Sequence, residues 1–157
     1  MDDKPIKATS TKSTFQLKIE IRFDVRADRE KIWQLITDAG DIHRWNTTIL
    51  SVQGTIAWGE TIKLKTTLDT SRTFKLKVTT FSPPSEMVWS DGLAPFFAGT
   101  RRFVLTEQAD GSTGVYRVDV FRGLLFPLVA GALPDLNNFF ESFANELKAE
   151  AEKQPIS

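Results

Sequence analysis

Three charged residues late in the chain could do chemistry: Arg101, close to Phe103 and Leu105, and the pair Arg117 and Asp119, close to Phe121. Within each segment these residues share parity, so in an extended strand they project from one face. If the aromatic residues face the interior, two guanidiniums and one carboxylate face it with them. Such a set pairs partly with itself and leaves guanidinium donors over for a carboxylate, enolate or phosphate. Arginine stays protonated and cannot be a general base, which leaves Asp119 as the only base among the three. The opposite register fits the alternation equally well, with Val118 and Val120 inside and Arg117 and Asp119 outside as a solvated pair. Because Arg101 is followed by Arg102, one of the two faces solvent in either register, and Arg102 is assigned there.

The elements that position these residues are legible as periods. From Phe15 to Val25 every odd position is apolar and every even one from Gln16 to Asp24 is polar, a strand with one wet face. Asp28 suits an N-cap and Glu30 the first turn, and Ile32, Trp33, Leu35 and Ile36 repeat at helical spacing, giving a helix over 28–38. Residues 41–46 add a further helical turn. Alternating segments follow at 48–58, 61–69, 72–82, 86–91, 99–109 and 113–123, and connections this short allow only antiparallel neighbours. Leu136, Phe139, Phe140, Phe143 and Leu147 then fall on one face of a long closing helix. Gly131 and Pro134 break it from a shorter apolar turn that begins near Leu124. Residues 1–14 read as a flexible arm, 15–151 as one domain and 152–157 as a frayed tail.

Composition removes several functions. Lys plus Arg and Asp plus Glu both number 20, so no basic field favours nucleic acid. There is no Cys and a single His, His43, which leaves no thiol nucleophile, no His-rich metal site and no call for a metal or cofactor. Neither a signal peptide nor a bilayer-spanning apolar run is present, so the expected location is cytoplasmic, without stable membrane insertion. The Gly-x-Ser-x-Gly, His-Glu-x-x-His and phosphate-loop signatures are missing.

Strand, short helices, six antiparallel strands and a long last helix, in that order, resemble the START-like or SRPBCC superfamily, specifically its polyketide cyclase/dehydrase group. The resemblance is carried by Ala27-Asp28-Arg29-Glu30-Lys31-Ile32-Trp33 through Asp38, by His43-Arg44-Trp45-Asn46, Met87-Val88-Trp89 and Arg102-Phe103-x-Leu105, and by Phe121-Arg122-Gly123-Leu124-Leu125. It covers residues 15–150. It departs at Thr47, where many relatives have proline. The resemblance implies an α+β helix-grip fold: a seven-stranded antiparallel sheet curled around the C-terminal helix, two short helices after the first strand, and a cavity between sheet and helix.

In that fold the inward register of Arg101, Arg117 and Asp119 is favoured. The implied cavity wall comprises Phe74, Trp89, Phe103, Leu105 and Phe121 from strands, and Leu136, Phe139, Phe140 and Phe143 from the last helix. The implied function is binding of a hydrophobic small molecule with an anionic or oxygenated end. A cyclase/dehydratase-like enzyme with Asp119 as base and Arg101 and Arg117 as oxyanion holders is the alternative, and an accessory protein-interaction module is the third. Many relatives carry His, His and Glu where this chain has Arg, Arg and Asp, so a histidine-based mechanism does not carry over.

Trp33 and Trp45 read as core anchors of the short helices, and His43 as an exposed helix residue. The segment Gly92 to Gly99 reads as an apolar loop, with Leu93, Pro95, Phe96 and Phe97 needing cover. A lid over the cavity mouth, or packing on Leu124 to Leu128, is the expected arrangement; a homodimer contact comes second.

Overall fold

Alternation becomes strands because each dry face finds an apolar neighbour. The computed structural model describes residues 4–93, 96–129 and 136–153. Eight strands form one antiparallel sheet: β1 Ala8–Ser13, β2 Gln16–Val25, β3 Ile49–Gln53, β4 Thr61–Thr66, β5 Asp69–Ser82, β6 Glu86–Leu93, β7 Phe97–Glu107 and β8 Thr113–Arg122, in the spatial order β1-β2-β8-β7-β6-β5-β4-β3. Helices α1 (Arg29–Thr37) and α2 (Ile42–Trp45) follow β2, and α3 (Phe126–Val129) and α4 (Asn137–Ala151) follow β8. No helix among the described residues is long and apolar enough to cross a membrane.

The sheet has eight strands rather than the expected seven. The addition is β1, cut from residues read as an arm; it pairs with β2 from Ala8↔Ile21 to Ser13↔Gln16. All its side chains after Ala8 are exposed, so no buried period marks it in the sequence. What holds it is main-chain pairing, supported by the Ala8 N–H donating to Glu141 of α4 at 2.8 Å. The segment expected as a loop over 92–99 is a second difference. There β6 and β7 continue their pairing through Gly92↔Ala98 to Leu93↔Phe97, which satisfies backbone groups that a loop would leave to water. Gly92, at φ +99°, permits it, since a Cβ there would lie 2.3 Å from the Phe97 carbonyl oxygen.

The helix α1 is capped by Asp28, whose Oδ1 accepts the Lys31 N–H at 2.8 Å. It buries Ile32, Trp33 and Ile36, while α4 buries Phe139, Phe140, Phe143, Ala144 and Leu147 against the inner sheet face. Side chains from α2 onward tie the two helical layers together. The Asn46 amide donates to the Phe143 carbonyl at 3.4 Å, its Oδ1 accepts both the N–H and the hydroxyl of Thr48, and Thr47 donates its N–H (3.0 Å) and Oγ1 (2.8 Å) to Glu146. A proline at position 47, as in many relatives, could not make the first of the Thr47 bonds.

Candidate functional site

The register of β8 is decided by its neighbours. Ile19 and Ile21 of β2, each 1% exposed, lie opposite Asp119 and Arg117, and on the other side Arg101 and Phe103 of β7 lie opposite the same two residues. Shared parity across three strands puts all six on the inner face, so Arg117 and Asp119 are buried and Arg102 is outside, donating to Glu86 at 2.5 Å. Asp119 is the hub. Its Oδ2 accepts from Arg101 Nε at 3.1 Å and from Arg117 Nη2 at 3.3 Å, and its Oδ1 accepts from Arg117 Nε at 3.2 Å. Arg117 also lies over aromatic faces of α4, with its guanidinium carbon 4.0 Å from the Phe140 ring centre and 4.6 Å from that of Phe143. Burial, and next the like charge of Arg101, push Arg117 down to about 10, with Asp119 pulling the other way. Its Nη1 has no hydrogen-bond partner.

Beside this cluster, between α1, α2, α4 and the sheet, runs a narrow cleft that is partly open to the surface. It is so constricted that a water molecule does not fit. Its lining is Ile36, Ile42, Trp45, Ile49, Trp89, Arg101, Phe103 and Phe143. Of the wall expected from sequence, Trp89, Arg101, Phe103 and Phe143 meet there, and Arg117, Asp119 and Phe140 form the adjoining buried cluster. Leu105, Leu136 and Phe139 are buried away from the cleft, Phe121 is half-buried beside Gly99, and Phe74 is half-buried under the Arg72 guanidinium. His43 is exposed.

Of the expected lid, Phe96 is exposed and Phe97 half-buried; Pro95 and the Leu93 side chain lie outside the described residues. The Phe96 carbonyl accepts the Leu125 N–H at 2.9 Å, which fastens this hairpin end to the turn before α3.

The wall contributed by Ile36, Ile42, Trp45 and Ile49 was not expected to line the cleft. The only signal was Trp45 itself, and an indole that anchors a helix looks the same in sequence as one that lines a cleft. A further inner-face carboxylate, Asp91, shares parity with Met87 and Trp89 and pairs across to Gly99. A Cβ at residue 99 would lie 2.7 Å from its Oδ1, so glycine makes the room it occupies. Burial pushes the Asp91 carboxyl above its usual range, opposed by Arg72, the Gly99 amide and Arg101.

A model of the family described as polyketide cyclase / dehydrase and lipid transport matches residues 16–152. The chain belongs to this family. No curated protein matches the sequence. Among solved structures similar to this family member, CalU16 from Micromonospora echinospora is 15% identical with a TM-score of 0.64, covering 98% of this chain and 88% of its own. A START superfamily protein from Mycobacterium smegmatis is 17% identical (TM-score 0.62; 86% and 97% covered), and protein Ms6760 from the same organism 14% identical (0.68; 96% and 99%). At such identities the likeness is one of fold, and function rests on the site.

Two outcomes follow from the cluster. Asp119→Asn leaves the buried Arg117 guanidinium and the half-buried Arg101 guanidinium without a counter-ion and is expected to cost about 3–5 kcal/mol in urea unfolding, part of it recovered when Arg117→Met is added; a loss under about 1 kcal/mol would contradict the hub role. Asp91 has a folded-state pKa above its unfolded value, so its ionised form costs stability above that pKa and the cost vanishes below the unfolded one. Asp91→Asn should therefore raise Tm at pH 7, with the gain shrinking as pH falls toward 3. A gain independent of pH would show that the carboxylate charge is not its cause.

Proposed function

We propose that the chain binds a hydrophobic small molecule between the α1–α2 layer and the inner sheet face, with the molecule's oxygenated end toward Arg101. The observation that carries this reading is the Arg101–Asp119–Arg117 set, with Arg117 and Asp119 buried and Arg101 half-buried, at the edge of an aromatic-walled cleft. One carboxylate faces two guanidiniums, and a buried cation without a full complement of acceptors is costly in a site that serves packing alone. A family of polyketide cyclases and lipid transporters supports an apolar ligand. Because the cleft admits no water as it stands, uptake on this reading displaces Ile36, Ile42 and Trp45 from the sheet, a layer movement rather than entry into an open cavity.

A cyclase/dehydratase activity is a second reading, favoured by Asp91. Asp119, the expected base, has both oxygens engaged by guanidiniums, whereas Asp91 stands on the same inner face with burial favouring its protonated form. Its raised pKa moves it in the direction a carboxyl needs to take for proton transfer.

The binding reading is tested with the neutral fluorophore N-phenyl-1-naphthylamine. Enhanced, blue-shifted emission is expected with the wild-type chain, weakened at least tenfold in affinity by Ile42→Phe, which narrows the cleft, with folding checked by far-UV circular dichroism. Absence of binding, or binding that a folded Ile42→Phe variant leaves untouched, would overturn it.

A further inference from the structure

Resting on the reading of the cleft as a ligand site, we infer that Trp45, Trp89 and Arg101 form an oxyanion-recognition end that selects an apolar molecule terminating in a carboxylate over the same molecule terminating in a hydroxyl. The first observation is a pair of orphaned donors. Trp45 and Trp89 are 7% and 1% exposed, both line the cleft, and the Nε1–H of each is buried without a hydrogen-bond partner. Buried N–H groups in folded proteins are nearly always partnered, and each one left unmet forfeits its hydrogen bond to water with nothing in return. Two such groups, on residues of different elements, α2 and β6, that line one cleft, are a standing cost that an acceptor within reach of both would remove.

The second observation is the chemistry of the whole lining. Ile36, Ile42, Ile49, Phe103 and Phe143 are apolar, and the remaining three, Trp45, Trp89 and Arg101, are donors only. No lining side chain accepts a hydrogen bond. A ligand hydroxyl entering this end could accept from an indole but would find no side-chain acceptor for its own hydrogen. A carboxylate brings only acceptors, two oxygens with lone pairs enough for both indoles and a guanidinium.

Charge points the same way. Arg101 uses Nε for Asp119, its guanidinium carbon lies 5.7 Å from the Trp89 ring centre, and Arg117 behind it adds a second cation against the single carboxylate of Asp119. The opposing group is Asp91, two residues along β6 from Trp89, whose charge burial disfavours. The rings are packed into one wall, Trp45 on Phe143 at 6.0 Å, Phe143 on Phe103 at 6.0 Å and Phe103 on Trp89 at 5.5 Å, so the two indoles are held by the same aromatic series that would contact the ligand's apolar body.

The test is competition against N-phenyl-1-naphthylamine by dodecanoic acid and 1-dodecanol at pH 8. The acid should displace the fluorophore at least tenfold more tightly than the alcohol. Trp45→Phe and Trp89→Phe, which keep the ring and remove the N–H, should each lower that acid-to-alcohol ratio several-fold, and Arg101→Gln should bring it near one. Fluorophore bound but displaced equally by acid and alcohol would overturn the oxyanion end while leaving the cleft as a binding site. Failure of the fluorophore to bind at all would remove the cleft reading itself. Should the tryptophan variants not fold, the wild-type ratio alone decides.

Discussion

A carboxylate held between two guanidiniums on a dry sheet face is the constraint around which the rest of this structure is arranged. Asp119 can sit there only because Arg101 and Arg117 reach it from adjacent positions on β7 and β8, and Arg117 can sit there only because Phe140 and Phe143 of α4 cover it with ring faces. Removing water from these three ions costs several kcal/mol apiece before pairing returns any of it. A core optimised for stability would fill the same volume with aliphatic side chains. The excess of donors is thus a specification of the interior's chemistry, and it gives the surrounding apolar wall an end and a direction.

The neighbouring elements set how that specification can be used. The chain after α2 is pinned to α4 through Asn46 and Thr47, which holds Trp45 in the lining of the same narrow space that Trp89 lines. Keeping water out preserves the strength of every donor that faces inward, because no solvent competes for it. On the proposed binding reading it also makes uptake dependent on moving a helical layer, which couples affinity to the stability of that layer.

Much of this was legible in the sequence, and the exceptions have physical causes. Alternation in Phe15 to Val25, the aromatic stripe of α4 and the capping of α1 by Asp28 are all local signals, and each corresponds to the element observed. The orientation of Arg117 and Asp119 is not local. Val118 and Val120 offer an equally good buried face, and the choice is made by pairing with Ile19 and Ile21, which stand 100 and 96 residues away in sequence from Asp119 and Arg117 but adjacent in the sheet. Strand β1 left no trace because it is held by backbone bonds with its side chains in water. The donor role of Trp45 was hidden because packing and ligand contact ask for the same residue type. Asp91 stands at the last position of the alternating segment 86–91, where a carboxylate reads as the start of a turn, although its parity with Trp89 points inward.

The central claim is that a ligand's oxygen acceptor enters this donor-rich interior, and the indole resonances report on it directly. The chain has four tryptophans, of which Trp58 is 73% exposed and not among the residues that line the cleft. In ¹H–¹⁵N spectra of the folded chain titrated with dodecanoate, the Nε1–H signals of Trp45 and Trp89 should move downfield as hydrogen bonds form, while that of Trp58 stays in place. Saturation with ligand that leaves the Trp45 and Trp89 signals unmoved would contradict the account.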